Sequence, residues 1–245
     1  MKSRISSTEE EQHCSERSYK KETLHSDSQT FESLMKELIN VLLRTNPGTM
    51  TSLFKSLLKV TNNLDVTLDP DTSNPYLILS DDGKQVRCGG TKQNLPDNSE
   101  RFNNCICVLG KEGFSSGRFY YEVQVSGKTR WDLGVVRESV NRKGKNTLTP
   151  QNGFWTVGLR NGNQYKALAG PSVSLSLREN LQKVGVFVDY EEGLVSFYDV
   201  EARSHIYSFT GQSFTEKLYP YFSPCVNDGG KNSAPLIITP VTHDD

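Results

Sequence analysis

Phe119-Tyr120-Tyr121-Glu122-Val123-Gln124-Val125 decides the fold class. Phe119, Tyr121, Val123 and Val125 fall on one face at period two, while Tyr120, Glu122 and Gln124 fall on the other. This is the repeat of a strand with one buried face. Downstream, Trp131-Asp132-Leu133-Gly134-Val135 alternates in the same way. Residues 184–189 and 194–198 are two further apolar runs flanking Tyr190-Glu191-Glu192-Gly193, which reads as a hairpin turn. Residues 205–209, 218–222 and 236–239 add more strands. From residue 64 onward no stretch keeps a helical period. Many short strands between turn clusters imply a mainly β chain, an antiparallel sandwich with polar outward faces.

The chain upstream is different. Residues 1–30 hold few apolar side chains and mixed charges, including Glu9-Glu10-Glu11, and read as a disordered tail. Residues 31–60 change to a helical period. Phe31, Leu34, Met35, Leu38, Ile39 and Leu42 share one face, and Met50, Leu53, Phe54, Leu57 and Leu58 share another, with Asn46-Pro47-Gly48 between them. Two short amphipathic helices are expected there. Such helices need a surface to pack on. A docked partner, self-pairing and a helical hairpin folded on the following domain all satisfy that need.

Composition narrows the function. The chain has 245 residues, with 28 Lys+Arg against 29 Asp+Glu and a formal net charge of −1. That balance lacks the long-range attraction of a nucleic-acid or anionic-membrane binder, so neither partner is expected. No stretch approaches the ~18 apolar residues of a membrane span. Cys14, Cys88, Cys105, Cys107 and Cys225 are odd in number and unpaired in spacing, which points to a reducing, cytoplasmic setting.

Motifs for chemistry fail one by one. Gly127-Lys128-Thr129 resembles the end of a phosphate-binding loop, but Glu122 stands where that loop needs its first glycine and a strand follows. Cys105-x-Cys107 has no second pair to complete a zinc site. Arg137, Arg142, Lys143 and Lys145 lack interleaved aromatics for stacking on bases, and read as a solvated loop. His205, beside Ser204, reads as a solvated strand-end histidine; no Gly-x-Ser-x-Gly elbow accompanies it. Trp131 and Trp155 read as core. No enzyme, cofactor or metal is implied, and a sandwich with long polar loops suits binding.

The residues then resemble a known family. Leu68-Asp69-Pro70 and Asn74-Pro75-Tyr76-Leu77-Ile78-Leu79-Ser80 look like the opening of a PRY segment. Arg101-Phe102, Val108-Leu109-Gly110 and Phe114-Ser115-Ser116-Gly117-Arg118 continue it, and Phe119-Tyr120-Tyr121-Glu122-Val123 is similar to the SPRY strand that usually reads Tyr-Trp-Glu-Val. Trp131-Asp132-Leu133-Gly134-Val135, Gly153-Phe154-Trp155-Thr156, residues 184–191 and 194–198, Tyr207-Ser208-Phe209, Pro220-Tyr221-Phe222-Ser223-Pro224 and Ala234-Pro235-Leu236 follow in order. The wording is similar to the C-terminal domain of tripartite-motif (TRIM) ubiquitin ligases, especially fish-type sets. Tyr121 stands where those relatives have tryptophan. The resemblance implies a bent sandwich over residues 61–242, PRY at about 64–110 and SPRY at about 114–242. It also implies a protein ligand held by variable loops, in innate immune or ubiquitin-linked signalling. The chain has too few paired Cys and His for a RING or B-box, so the resemblance implies a truncated member, an isoform or a gene fragment; the alternative reading is a non-catalytic subunit whose residues 31–60 pair with a full-length TRIM-type ligase to recruit or block it.

Carried over by motif, the ligand face comprises Asp132, Gly158, Arg160 and Val226. Relatives that bind antibody have tryptophans at positions 158 and 160 and phenylalanine at 226, so the resemblance implies a different ligand here. Arg130, Arg160, Asn161, Tyr165 and Asn227 are the groups left to make polar contacts.

Overall fold

The computed structural model describes residues 62–177 and 181–241. The expected tail at 1–30 and helices at 31–60, with His13, Cys14, His25 and His243, lie outside these residues.

The strands are β1 (Asn62–Asn63), β2 (Leu77–Leu79), β3 (Gln85–Cys88), β4 (Val108–Leu109), β5 (Arg118–Gln124), β6 (Trp131–Arg137) and β7 (Phe154–Arg160). They continue as β8 (Gln164–Ala167), β9 (Val173–Leu175), β10 (Lys183–Asp189), β11 (Leu194–Asp199), β12 (Ser204–Phe209), β13 (Leu218–Ser223) and β14 (Leu236–Thr239). One sheet runs β12-β11-β10-β5-β14-β3-β2, with the short β1 pairing parallel to β5. The other runs β4-β13-β6-β7-β8-β9. All other pairings are antiparallel, as the sequence predicts. Tyr190–Gly193 makes the expected hairpin, with Gly193 at φ 58. The segment read as PRY does not stand apart: β2 and β3 extend the first sheet through β14, and β4 extends the second through β13.

The inner faces share one core. Tyr121, Val123, Val186 and Phe197 of the first sheet meet Trp131, Leu133, Val157 and Phe222 of the second. Trp131 and Trp155 are both buried, as predicted. The Tyr121 hydroxyl crosses this core and donates to the Gly134 carbonyl at 2.6 Å. Gly134 must be glycine: a Cβ there would lie 2.0 Å from the Trp155 carbonyl oxygen. Tyrosine at 121 thus gains a buried acceptor, which accounts for its place in a position of aromatic core residues.

The outward faces depart from expectation. On β5, Tyr120 and Glu122 are buried, not solvated. The Tyr120 hydroxyl donates to Glu122 at 3.0 Å, and Lys183 pairs with Glu122 at 3.2 Å. Gly185 opposite leaves room for the Tyr120 ring. A central strand has neighbours on both sides, so its second face is crowded in a way that alternation alone does not record. The second sheet also buries part of its outer face. Val136, Phe154 and Tyr221 form a further apolar cluster with Phe102, Cys107, Leu109 and Val140. Arg101 fastens this cover, donating from its guanidinium to the carbonyls of Pro70 (2.8 Å), Ser73 (2.7 Å) and Pro96 (3.0 Å). The basic loop is not simply solvated: Arg142 pairs with Glu100 at 2.7 Å and lies over the Phe102 ring, while Lys143 pairs with Asp97 at 2.6 Å. His205 is half-buried, with its ring edge-on to Tyr198 and Nε2 2.7 Å from the Ser208 hydroxyl.

Replacing Tyr121 with Phe leaves the Gly134 carbonyl without its donor in a dry core. We expect a loss of about 1–2 kcal/mol, read from urea midpoints at unchanged m-value.

Candidate functional site

At one end of the sandwich the chain leaves β13 through residues 224–232. Asn232 is wholly buried and holds this loop. Its Nδ2 donates to the carbonyls of Pro224 (2.9 Å), Val226 (3.0 Å) and Arg130 (3.0 Å). Its Oδ1 accepts the backbone N–H groups of Thr129 (3.0 Å) and Arg130 (3.2 Å). One side chain thereby ties the loop bearing Val226 and Asn227 to the turn bearing Arg130. Lys128, the residue of the false phosphate loop, is buried against the same segment and donates to the Ala234 carbonyl at 2.8 Å. Burial pulls its pKa down to about 8. A third turn joins them: the Gly162 N–H donates to the Thr129 carbonyl at 2.8 Å, and Asn161 is exposed at φ 52.

Beside these turns, Ser223, Asp132 and Gly158 lie in register across β13, β6 and β7. Asp132 pairs with Arg160 at 2.7 Å. Gly158 makes that contact possible, since a Cβ there would lie 2.1 Å from Asp132 Oδ1. Arg160 also donates to the carbonyls of Trp131 (3.1 Å) and Leu159 (2.9 Å). The Cys225 thiol lies 3.7 Å from Asp132 Oδ2. Burial pushes the Asp132 carboxyl up to about 6 despite Arg160. Burial, then the Asp132 charge, pushes the Cys225 thiol up to about 12.

The structure therefore brings most of the sequence-predicted residues to one end but gives them unequal positions. Arg130, Asn161 and Val226 are exposed, and Asn227 is half-buried beside them. Asp132 and Gly158 are buried, and Arg160 is spent on Asp132 and two carbonyls, so it does not stand free for a ligand. Tyr165 is not on this surface. It is 7% exposed, its ring faces Trp131, and its hydroxyl accepts the Leu181 N–H at 3.1 Å. Its register opposite Leu159 on β8 turns it inward, which the polar residues around it in sequence concealed.

Next to Val226 and Asn227 opens a groove of about 720 Å³. Its other walls are Asn74, Tyr76, Gly90, Asn104 and Ile106, with Gly229 and Gly230 at the loop tip. Tyr76 (38%) and Val226 (50%) are among the exposed large apolar side chains. Sequence reasoning missed Asn232, Tyr76 and Ile106. Asn74-Pro75-Tyr76 was legible only as a family signature, and an asparagine in a Gly-rich loop reads as a turn residue. Among the described residues no cluster of three His, Cys, Asp or Glu side chains is placed to hold a metal ion.

Comparison with known proteins follows from this geometry. The SPRY-associated (PRY) domain profile matches residues 66–114, and the SPRY domain profile matches residues 118–237. "Nuclear factor 7, brain" of Xenopus laevis is 56% identical over 169 residues, 69% of this chain and 28% of that protein. "E3 ubiquitin-protein ligase TRIM69" of Rattus norvegicus is 51% identical over 173 residues, 71% of this chain and 34% of that protein. The chain thus spans about a third or less of these relatives. The solved PSpry domain of TRIM65 superposes with a TM-score of 0.64 at 22% identity, covering 76% of this chain and 94% of that one.

Two variants test the buried pair. Because the folded pKa of Asp132 lies above its ordinary value, its contribution to stability is complete below about pH 4 and fades as pH rises through about 6. Relative to Asp132→Asn, the wild type should lose up to about 3 kcal/mol over that window, read as diverging Tm values. Arg160→Glu sets two carboxylates against each other and should cost about 3–5 kcal/mol at neutral pH by chemical denaturation.

Proposed function

Residues 66–237 belong to the PRY-SPRY domain family, and from that premise we propose that this chain is a non-catalytic module that captures an extended segment of a protein ligand in the groove beside Val226 and Asn227. SPRY domains of TRIM proteins are protein-interaction modules. The observation that carries the finer reading is the groove itself. It is open and mixes exposed apolar walls at Tyr76 and Val226 with the side-chain amides of Asn104 and Asn227. Apolar walls with a few convergent amides suit an apolar anchor side chain flanked by peptide backbone. Lining charge is sparse, with Asp228 the acidic residue at its edge. Recognition then rests on shape and hydrogen bonding, in keeping with the near-neutral chain.

In this reading the predicted residues divide by role. Val226 and Asn227 touch the ligand, and Arg130 and Asn161 flank it from the adjoining turns. Asp132, Gly158 and Arg160 hold the strand ends on which those turns sit. The setting we propose is cytoplasmic, in innate immune or ubiquitin-linked signalling. The free thiols of Cys88, Cys105, Cys107 and Cys225 support the compartment, and the likeness to an E3 ubiquitin-protein ligase supports the pathway.

Peptides selected from a random display library against the full chain provide the test. Val226→Asp should weaken the selected peptides at least about tenfold while leaving Tm within about one degree, because the side chain is exposed and buries nothing else. Selected peptides that bind Val226→Asp as tightly as wild type would remove this groove as the ligand site.

A further inference from the structure

A second site stands at the far end of the same strands. Arg137 closes β6, and six residue steps separate it from Trp131 at the loop end, about 20 Å at the rise of a strand. Its stem lies flat along Gly153, where a Cβ would come within 2.4 Å of Arg137 Cγ and 2.6 Å of Nε. Gly153 sits at φ 83, where the 3-10 turn Pro150–Asn152 ends. The glycine is demanded twice, by its backbone and by the arginine it accommodates.

Arg137 lines a cavity of about 240 Å³ with Trp155 and Phe214 among its walls. These walls are fixed in advance. The Trp155 indole N–H donates to Gln212 Oε1 at 2.9 Å, and the Phe214 ring meets Trp155 edge-on at 4.9 Å. Phe214 also contacts Tyr190 at 5.4 Å. The arginine is less well matched. Its Nε is buried without a hydrogen-bond partner, and among the described residues its only charge partner at this cavity is Glu216, which it reaches through space and not in a close ion pair. A guanidinium offers five donors and no acceptor, so what Arg137 presents to this cavity suits acceptor oxygens. The lining carboxylate, Glu216, is turned away to Ser139, whose backbone N–H and hydroxyl each donate to it at 2.9 Å. Those bonds, with a smaller contribution from the Arg137 charge, hold its pKa below the usual range, so it keeps its charge near the cavity.

We propose that this cavity is a second binding site, which takes a single aspartate or glutamate side chain of a protein partner. A planar carboxylate matches the arginine fork in a bidentate pair, and its stem can lie against the two aromatic walls. The nearby Glu216 charge penalises a phosphoryl dianion more than a carboxylate monoanion. Buried Trp155 and half-buried Phe214 beside one arginine are also the composition in which binding energy concentrates at interfaces. The site is independent of the groove at the loop end, so a partner engaging both would be held along the length of β6 and β7.

The test is a two-dimensional ¹⁵N–¹H NMR titration of the whole chain, following the Arg137 Nε–H and Trp155 Nε1–H signals. The probes are N-acetyl-glutamate amide, its neutral isostere N-acetyl-glutamine amide, and inorganic phosphate. The acid should shift both signals saturably with a millimolar Kd, at least about tenfold more tightly than the isostere, while Val226 and Asn227 stay still. Glu216→Gln should tighten the acid several-fold, and Arg137→Gln should abolish its effect. Linear, unsaturating shifts, or equal binding of acid and isostere, would overturn the proposal. Phosphate binding as tightly as the acid would overturn its assignment to a carboxylate.

Discussion

Two sheets can share one core only if something large fills the middle and something small lets the backbones close around it. Tyr121 and Gly134 are that pair. The tyrosine ring spans the core and spends its hydroxyl on the Gly134 carbonyl. The missing side chain at 134 lets β6 lie against the Trp155 carbonyl. Everything functional is displaced from this point. β6 and β7 run outward from it in both directions, carrying Asp132 and Arg160 toward one end and Arg137 and Trp155 toward the other. A rigid middle makes both ends precise, because a site carried on strand termini inherits the register of the sheet.

The loop end shows how exposed turns are kept on a fixed frame. Asn232 spends its side-chain amide on five backbone groups, three from the turn at Thr129 and Arg130 and two from its own loop. Those bonds satisfy the main chain and make no demand on the side chains of Val226 and Arg130, whereas Asn227 adds its own bond by accepting the Gly230 N–H at 3.0 Å. Asp132 and Arg160 act similarly across β6 and β7. Carboxylate and guanidinium here hold strand ends together. Their partial burial costs desolvation, which shows as the raised pKa of Asp132. The two ends differ in kind. At the loop end the charged groups are paired and the open surface is apolar and amide-bearing. At the far end an arginine beside two aromatic rings forms no close ion pair among the described residues.

How much was legible depended on the distance over which a signal acts. The strand at Phe119–Val125 could be read because alternation is local and needs only neighbours. The hairpin at Tyr190–Gly193 could be read because its turn chemistry is local too. The buried outer faces could not. Val136, Phe154 and Tyr221 look like ordinary strand residues until Phe102 and Leu109, tens of residues upstream, fold over them. Tyr120 and Glu122 read as outward and solvated, yet they form a buried pair with Lys183 from β10. Tyr165 read as a polar contact because its flanks are polar, while its register against Leu159 turns it into the core. Arg160 read as a free cation because its partner lies 28 positions away in sequence and beside it across a strand pair.

The sequence by itself determined the class of fold, the family and a set of candidate residues, most of which gather at one end of the sandwich. Each is carried by short-range pattern: period-two alternation, turn residues and ordered local motifs. Only the tertiary structure decided which of those residues are available. Pairing across strands spent Arg160 on Asp132, left Val226 exposed beside a groove, buried Asn232 as a clamp, and left the Arg137 Nε without a hydrogen-bond partner among the described residues. These outcomes depend on which side chains meet across sheet register and folded-over loops. A charge or a ring has its role fixed by the neighbour it meets, and that neighbour is set by the fold.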